Sequence, residues 1–205
     1  MLRLGLLNYG SGNFTSVQNA LLHLGLEPLE ITRPEQMREA THLVLPGVGS
    51  FPAAMDRLER LNLVDELREQ VVERKKPFLG ICIGMQILAD VGHEFGERKG
   101  LGFIRGRVEQ IDAEGSGLRT PHMGWNQLVP RKDCPLLTDL PTPSSFYFVH
   151  SFHLRLDDPD DSAAACEYGS EITACVQRDN IFGVQFHPEK SQRDGLKLLQ
   201  NFSRL

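Results

Sequence analysis

The stretch "PFLGICIGMQ", Pro77 to Gln86, sets an apolar run before a lone cysteine that has one glycine two places ahead of it and another two places behind. The apolar half reads as a buried strand and Gly84 to Val91 as the helix behind it, so Cys82 falls on the turn between them. Gly80-Ile81-Cys82-Ile83-Gly84 has the pattern of a nucleophile elbow, with cysteine in the place of serine. A side chain at either glycine would clash across a turn tight enough to lift the nucleophile clear of the sheet. Such a turn puts the sulfur at a helix N-terminus, where unpaired N–H groups and the helix dipole favour an anion. The same residues also fit a buried thiol beside a helix cap, and five residues alone do not separate the two.

Outward from the elbow, the first half of the chain alternates short apolar runs with helical periodicity. "LRLGLLN" (Leu2 to Asn8) reads as a strand entering the turn "YGSGN", and Val17, Ala20, Leu21 and Leu24 then recur at helical spacing until Gly25. "THLVLPG" (Thr41 to Gly47) reads as a second buried strand. Ser50 is placed to cap a helix with Pro52 in its first turn and Met55, Leu58 and Leu61 on one face. A further helix is expected over Asn62 to Arg74, with Val64, Leu67 and Val71 apolar, and "KPFLGI" is the third buried strand. This alternation predicts an α/β fold with a mostly parallel central sheet flanked by helices. The second half instead offers strand-like pieces parted by Pro, Gly and Asp turns: "LGFIRGRVEQID", "SSFYFVHSFHLRL", "SAAACEY", "EITACVQ" and "IFGVQF". They predict an antiparallel β extension of the same sheet. "SQRDGLKLLQNF" closes the chain as a helix capped by Ser191, with Leu196, Leu199 and Phe202 inward. No repeat, low-complexity tract or linker interrupts the chain, so one domain is expected over 1–205.

A chain of 205 residues, 40% hydrophobic and 24% charged, is long enough to bury a full core. The net charge is −5, and the one basic run is "ERKK" at Glu73 to Lys76, which argues against a nucleic-acid footprint. The apolar part of the N-terminus is too short for a signal peptide, and no apolar run approaches the roughly 18 residues of a membrane span. A cytoplasmic protein without nucleic-acid or membrane partners is expected. The cysteines Cys82, Cys134, Cys166 and Cys175 form no CxxC pair, which argues against a zinc site and a disulfide scaffold. Cys134, Cys166 and Cys175 read as small buried hydrophobes, and His23, His42, His93 and His153 as structural histidines.

A thiol nucleophile needs a base. "IFGVQFHPEKS" supplies an apolar strand, Ile181 to Phe186, that runs into His187-Pro188-Glu189. Proline keeps the preceding residue extended, and side chains two apart on extended backbone point the same way, so His187 and Glu189 can face one site. A carboxylate beside an imidazole fixes its tautomer, and the imidazole activates the thiol, which gives a triad of Cys82, His187 and Glu189. Attack on a carboxamide also needs oxyanion donors. The N–H of Ile83 is the first candidate. The glycine-rich loop "LPGVGSF" (Leu45 to Phe51) offers a second around Val48, although it also fits an ordinary strand-to-helix turn. No GxxxxGK[ST] is present to make that loop a phosphate cradle.

Cysteine elbow, glycine loop and late HPE together resemble the class I glutamine amidotransferase family, over nearly the whole chain. "YGSGN" (Tyr9 to Asn13), "PHMGWN" (Pro121 to Asn126), "FYFVHSF" (Phe146 to Phe152) and "GVQFHPEKS" (Gly183 to Ser191) are similar to the branch whose glutaminase serves histidine biosynthesis. The triad motifs alone also fit amidotransferases that make anthranilate, GMP or pyridoxal phosphate. The resemblance implies a flavodoxin-like α/β core, Cys82 as nucleophile, His187 as base and acid, Glu189 as orienting carboxylate, and no metal or organic cofactor. It places L-glutamine on Gly47, Gln86 and Glu94, with the backbone of Ser151 and Phe152 receiving the α-carboxylate. It further implies a partner, a (βα)8-barrel cyclase subunit forming a heterodimer and drawing ammonia through its core. Asn13, Trp125, Tyr147 and Lys190 are the expected interface, and Trp125 and Tyr147 fit core aromatics as well. The Gly-Val-Gly loop suggests an oxyanion hole that is incomplete until the partner binds.

Overall fold

The computed structural model describes residues 2–112 and 117–205. From the N-terminus, β1 (Leu4–Leu7), α1 (Phe14–His23), β2 (Leu29–Ile31), β3 (His42–Gly47), α2 (Phe51–Arg60), α3 (Leu63–Leu67), β4 (Phe78–Cys82) and α4 (Ile83–Gln86) build the first half. The second half holds β5 (Val91–Gly92), β6 (Arg98–Lys99), β7 (Gly106–Gln110), β8 (His122–Gln127), β9 (Val129–Pro130), β10 (Ser145–His150), β11 (Phe152–Leu156), β12 (Ser162–Glu167), β13 (Glu171–Arg178), β14 (Ile181–Val184) and α5 (Gln192–Phe202).

The main sheet has the order β2-β1-β3-β4-β14-β13-β12-β9. Its first five members are mutually parallel and the last three alternate in direction. Both faces of the parallel part are covered, which is why its strands read as continuous apolar runs rather than alternating ones. Leu6, Val44 and Leu79 project to one face, where α1 and α5 pack through Val17, Leu21, Leu198, Leu199 and Phe202. Leu7, Leu43, Leu45 and Phe78 project to the other, under Phe51, Met55, Leu58, Leu63 and Leu67 of α2 and α3. Ser50 caps α2 as expected, its hydroxyl accepting the Ala53 N–H at 3.4 Å.

Several expectations need correction. β2, which the sequence reading does not include, is a three-residue strand at the sheet edge with only Ile31 buried, too short to carry a period. Leu61 leaves the buried face of α2, because the helix ends at Arg60 and the chain turns through Asn62 at φ 55°. The helix beyond α3 loosens into a π-helical stretch over Arg68–Glu73. The helix expected over Gly84 to Val91 stops at Gln86. The carbonyls of Ile87, Leu88, Ala89 and Asp90 accept instead from N–H groups of residues 100–104, and Val91 enters β5. The antiparallel extension is realised by β13, β12 and β9 alone. β8 with β10, and β11, β7, β5 and β6, form two smaller sheets. Ser191 precedes α5 but caps nothing. Its hydroxyl donates to the His187 carbonyl at 2.6 Å and accepts the Tyr147 N–H at 3.0 Å. No helix of the described residues is long and apolar enough to cross a membrane.

Candidate active site

The chain runs from β1 to the outer strand β2 and from β3 inward to β4, so the crossovers leave the space between β1 and β3 open at the strands' carboxyl ends. "YGSGN", "PGVG", the elbow and "FHPE" follow β1, β3, β4 and β14, and therefore meet at that edge. Gly47 lies beside Cys82 in register, and Val184 beside Ile81.

Cys82 has φ 55° and ψ −108°, a conformation a non-glycine residue adopts only under constraint. The constraint is the packing of its neighbours. A methyl at Gly80 would overlap the Gly84 carbonyl, and one at Gly84 would overlap the carbonyl oxygen of Leu45. Ile83, the first residue of α4, has an N–H without an intrahelical acceptor.

His187 is extended at φ −103° and ψ 95°, as its proline requires, and its N–H is held by the Tyr147 carbonyl at 2.9 Å. The side chains of His187 and Glu189 are both fully buried. Nδ1 lies 2.7 Å from Glu189 Oε1, so the ring donates there and turns Nε2 free. Burial alone would lower the imidazole pKa. The Cys82 sulfur and the Glu189 carboxylate outweigh it and raise the value to about 9. A thiol paired with such a ring can transfer its proton, attack an electrophilic carbon and receive the proton back at a leaving group.

Asn13 belongs to this group and not to the surface. It is 4% exposed, and its Nδ2 donates to Glu189 Oε1 at 2.7 Å and lies 3.4 Å from His187 Nδ1. Asn13, expected at the partner face, is buried here and bonded to the triad carboxylate. Its side chain makes no capping bond to the N–H groups of α1, which it precedes, and its amide is turned to the Glu189 carboxylate instead. Gln185, which sequence reading missed, sends Nε2 to within 3.8 Å of Cys82 Sγ and accepts from Gln86 Nε2 at 3.0 Å. The spacing 185, 187, 189 was the signal available, since alternate residues of an extended run share a side.

A cavity of about 420 Å³ opens over Cys82 and Ile83 and is bounded by Gln86, Glu94, Ser151, Phe152 and His187. Gln86 is tied through Nε2 to the Phe152 carbonyl at 2.8 Å, and its Oε1 is buried without a partner, an acceptor that a bound ammonium group would satisfy. Glu94 accepts the Phe51 N–H on Oε2 at 2.8 Å, at the N-terminus of α2. Gly47 is the exception among the expected glutamine contacts. It lies off the cavity against the Tyr9 hydroxyl, where a side chain would not fit, and Val48 and Gly49 form the wall instead.

The two expected oxyanion donors differ in state. Ile83 borders the cavity, whereas the Val48 N–H donates to Ser11 Oγ at 2.9 Å. Ser11 is buried in "YGSGN", and Gly49 at φ 102° gives the loop a joint next to Val48.

Trp125, Tyr147 and Lys190 lie together at the surface. Trp125 is half exposed, its ring meets Tyr147 edge-on at 6.2 Å, and Lys190 Nζ stands 5.9 Å above the Tyr147 ring. Met123, also exposed and two residues before Trp125 on β8, extends this apolar patch. All four cysteines are free and buried, and His42 is a satisfied structural histidine, with Nε2 3.0 Å from the Leu205 carbonyl.

A strained cysteine elbow facing an imidazole held by a buried carboxylate, at the carboxyl edge of a parallel sheet, defines a cysteine-dependent amide-hydrolysing site. The model of glutamine amidotransferase class-I matches residues 6–204, and the chain belongs to that family. It is 46% identical over 202 residues to imidazole glycerol phosphate synthase subunit HisH 1 of Campylobacter jejuni (strain RM1221), covering 98% of this chain and 100% of that one. It is 45% identical to subunit HisH 2 of Vibrio vulnificus (strain YJ016), covering 98% and 94%. Among solved structures, PurLQS from Thermotoga maritima superposes with a TM-score of 0.75 at 24% identity, covering 98% of this chain and 97% of that chain. That likeness is one of fold.

Proposed function

We propose that this chain is the glutaminase subunit of imidazole glycerol phosphate synthase in histidine biosynthesis, a cytoplasmic enzyme whose amidotransferase domain occupies 1–205. Relatives of that name at 44–46% identity over nearly the full length support the assignment. The observation that carries the chemistry is the 2.7 Å bond from His187 Nδ1 to Glu189 beside the strained Cys82.

Cys82 Sγ attacks the side-chain amide carbon of L-glutamine while the N–H of Ile83 receives the developing oxyanion. His187, positively charged and held by Glu189, which Asn13 holds in turn, delivers its proton to the departing ammonia and then takes one from water, which opens the γ-glutamyl thioester to glutamate. Glu94 and the free Gln86 Oε1 suit the α-ammonium, and the backbone of Ser151 and Phe152 the α-carboxylate. Ammonia passes to a (βα)8-barrel cyclase subunit that docks as a heterodimer on Trp125, Tyr147 and Lys190, to which Met123 adds apolar area. Because the Val48 N–H is bonded to Ser11, the hole has one donor until docking turns that peptide, so the isolated chain is a weak glutaminase.

Glutamate release measured for the wild type and Cys82→Ala, with and without the cyclase and its ligand, tests the reading. Expected are weak activity alone, strong stimulation by the cyclase, and none in Cys82→Ala. Equal activity of the two proteins rejects the nucleophile, and full activity of the isolated wild type rejects the incomplete hole.

A further inference from the structure

Behind the exposed patch of β8 and β10 lies a line of buried polar groups that the chemistry above does not use. β8 alternates strictly. Met123, Trp125 and Gln127 face outward, while His122 and Asn126 turn inward. His122 stands opposite His150 of β10 in register, and β10 passes through Ser151 directly into β11. The junction of the two small sheets is therefore also the wall of the glutamine cavity, formed by Val149, His150, Ser151 and Phe152.

Three hydrogen bonds cross this junction. Asn126 Nδ2 lies 3.2 Å from His122 Nε2, His122 Nδ1 lies 2.9 Å from His150 Nε2, and His150 Nδ1 lies 2.9 Å from the Phe152 carbonyl oxygen. The far end fixes the direction of all three. A carbonyl only accepts, so His150 must carry its proton on Nδ1. Its Nε2 is then an acceptor, so His122 must donate from Nδ1, and His122 Nε2 in turn accepts from the Asn126 amide. A second proton on either ring would set donor against donor, and the burial of both rings opposes the charge as well. Burial, as the leading cause, lowers His122 to about 4 and His150 to about 3. The plane of His122 is set by stacking between Phe148 at 4.7 Å and Tyr168 at 4.0 Å. Neither end is loose. Asn126 also donates to the Glu167 carbonyl at 2.8 Å, and the Phe152 carbonyl also accepts from Gln86 at 2.8 Å.

We infer that His122 and His150 are positioning residues, a neutral one-way relay that sets the Ser151–Phe152 segment and Gln86 for glutamine from the position of strand β8. This rests on the glutaminase reading and deepens it, since the strand that carries Trp125 is thereby tied to the substrate wall. A two-stranded sheet is marginal by itself, so its register against the cavity depends on such cross-links. The relay bears directly on the wall for the α-amino and α-carboxylate groups and reaches Cys82 Sγ only at two removes, through Gln86 and the 3.8 Å approach of Gln185, so disturbing it acts on glutamine binding more than on turnover.

The test uses the complex with the cyclase and two variants. His122→Phe keeps a ring between Phe148 and Tyr168 but removes both hydrogen bonds, and His122→Gln keeps a donor and an acceptor but loses the ring. For His122→Phe, KM for glutamine is expected to rise about tenfold, the size of one lost buried hydrogen bond, with kcat within about twofold of wild type. His122→Gln should restore much of the loss. Independently of activity, 15N NMR of the wild type should show both rings neutral with the proton on Nδ1 and no titration between pH 5.5 and 8. Unchanged KM in His122→Phe overturns the inference, as does a parallel loss of kcat and thermal stability that His122→Gln does not relieve. An Nε2–H tautomer at His150 overturns it even if the variants fail to fold. An inactive wild-type complex would overturn the glutaminase reading, and this role with it, whatever the NMR shows. An active wild type with unchanged variants would overturn the relay alone.

Discussion

Replacing Ser11 by alanine removes one oxygen atom, and with it the acceptor of the Val48 N–H. The bond is 2.9 Å long and Ser11 is buried, so water does not readily take its place. A hydrogen bond of this kind contributes a net ~0.5–1.5 kcal/mol, which shifts a two-state equilibrium by about 2- to 13-fold. If the isolated chain works only in the minor state, with the Val48 N–H turned into the cavity, its activity is proportional to the population of that state. Ser11→Ala should therefore raise glutaminase activity of the isolated chain by that factor at saturating glutamine. In the complex the state is already dominant, so activity there stays at the wild-type level and the stimulation ratio falls by the same factor. The assay is glutamate release with and without the cyclase, alongside a thermal melt to show an intact fold. An isolated variant no more active than wild type, with an unchanged melt, would refute the idea that Ser11 holds the loop.

Asn13→Ala strips the Glu189 carboxylate of a 2.7 Å donor. At ~1.5–3 kcal/mol for a bond to a charged group, kcat should fall by about one to two orders of magnitude. Titration calorimetry should give wild-type affinity for the cyclase, and a loss of affinity at normal kcat would return Asn13 to the interface. His187, raised from 6.5 to about 9, is held protonated by the fold, so its contribution to stability is complete below pH 6.5 and lost as pH rises through about 9. Cys82→Ala removes one of the two groups responsible, so melting temperature should decline more steeply over that range in wild type than in the variant. Parallel curves would deny the Cys82–His187 pairing. Gly84→Ala drives a methyl into the Leu45 carbonyl. At ~1–3 kcal/mol for overpacking, the melt should drop by about 2–12 °C, and an unshifted melt would mean that the elbow has room it is not shown to have.

The parts legible in the sequence were those in which one residue type answers one local demand. Two glycines around Cys82 meet a backbone close-packing condition, a proline after His187 fixes an extended angle, and Ser50 with Pro52 opens a helix; each recurs in the structure. Gln86 borders the cavity where one helical turn after the elbow would bring it, and Glu94, which only the family resemblance implies, borders it too. Illegible parts depended on competition. The apolar run after the elbow reads as helix, because nothing in it announces that residues 100–104 claim its carbonyls. Asn13 reads as a surface anchor because "YGSGN" gives no hint that His187, 174 residues later, lies within reach of it. Ser191 had the right residue type for a cap, and the fold gave its hydroxyl to His187 and Tyr147 instead.

By itself the sequence determined that a parallel sheet would end in a cysteine elbow and that an imidazole and a carboxylate would share one side of a late extended segment. Periodicity, glycine spacing and proline are local and survive without knowing what lies across the site. Only the tertiary structure decided that the Val48 N–H belongs to Ser11, that Asn13 serves Glu189, and that two histidines on neighbouring strands join the exposed patch to the substrate wall. Those are pairings between groups far apart in the chain. A hydrogen bond goes to whichever partner burial leaves within about 3 Å, a distance that no sequence pattern encodes.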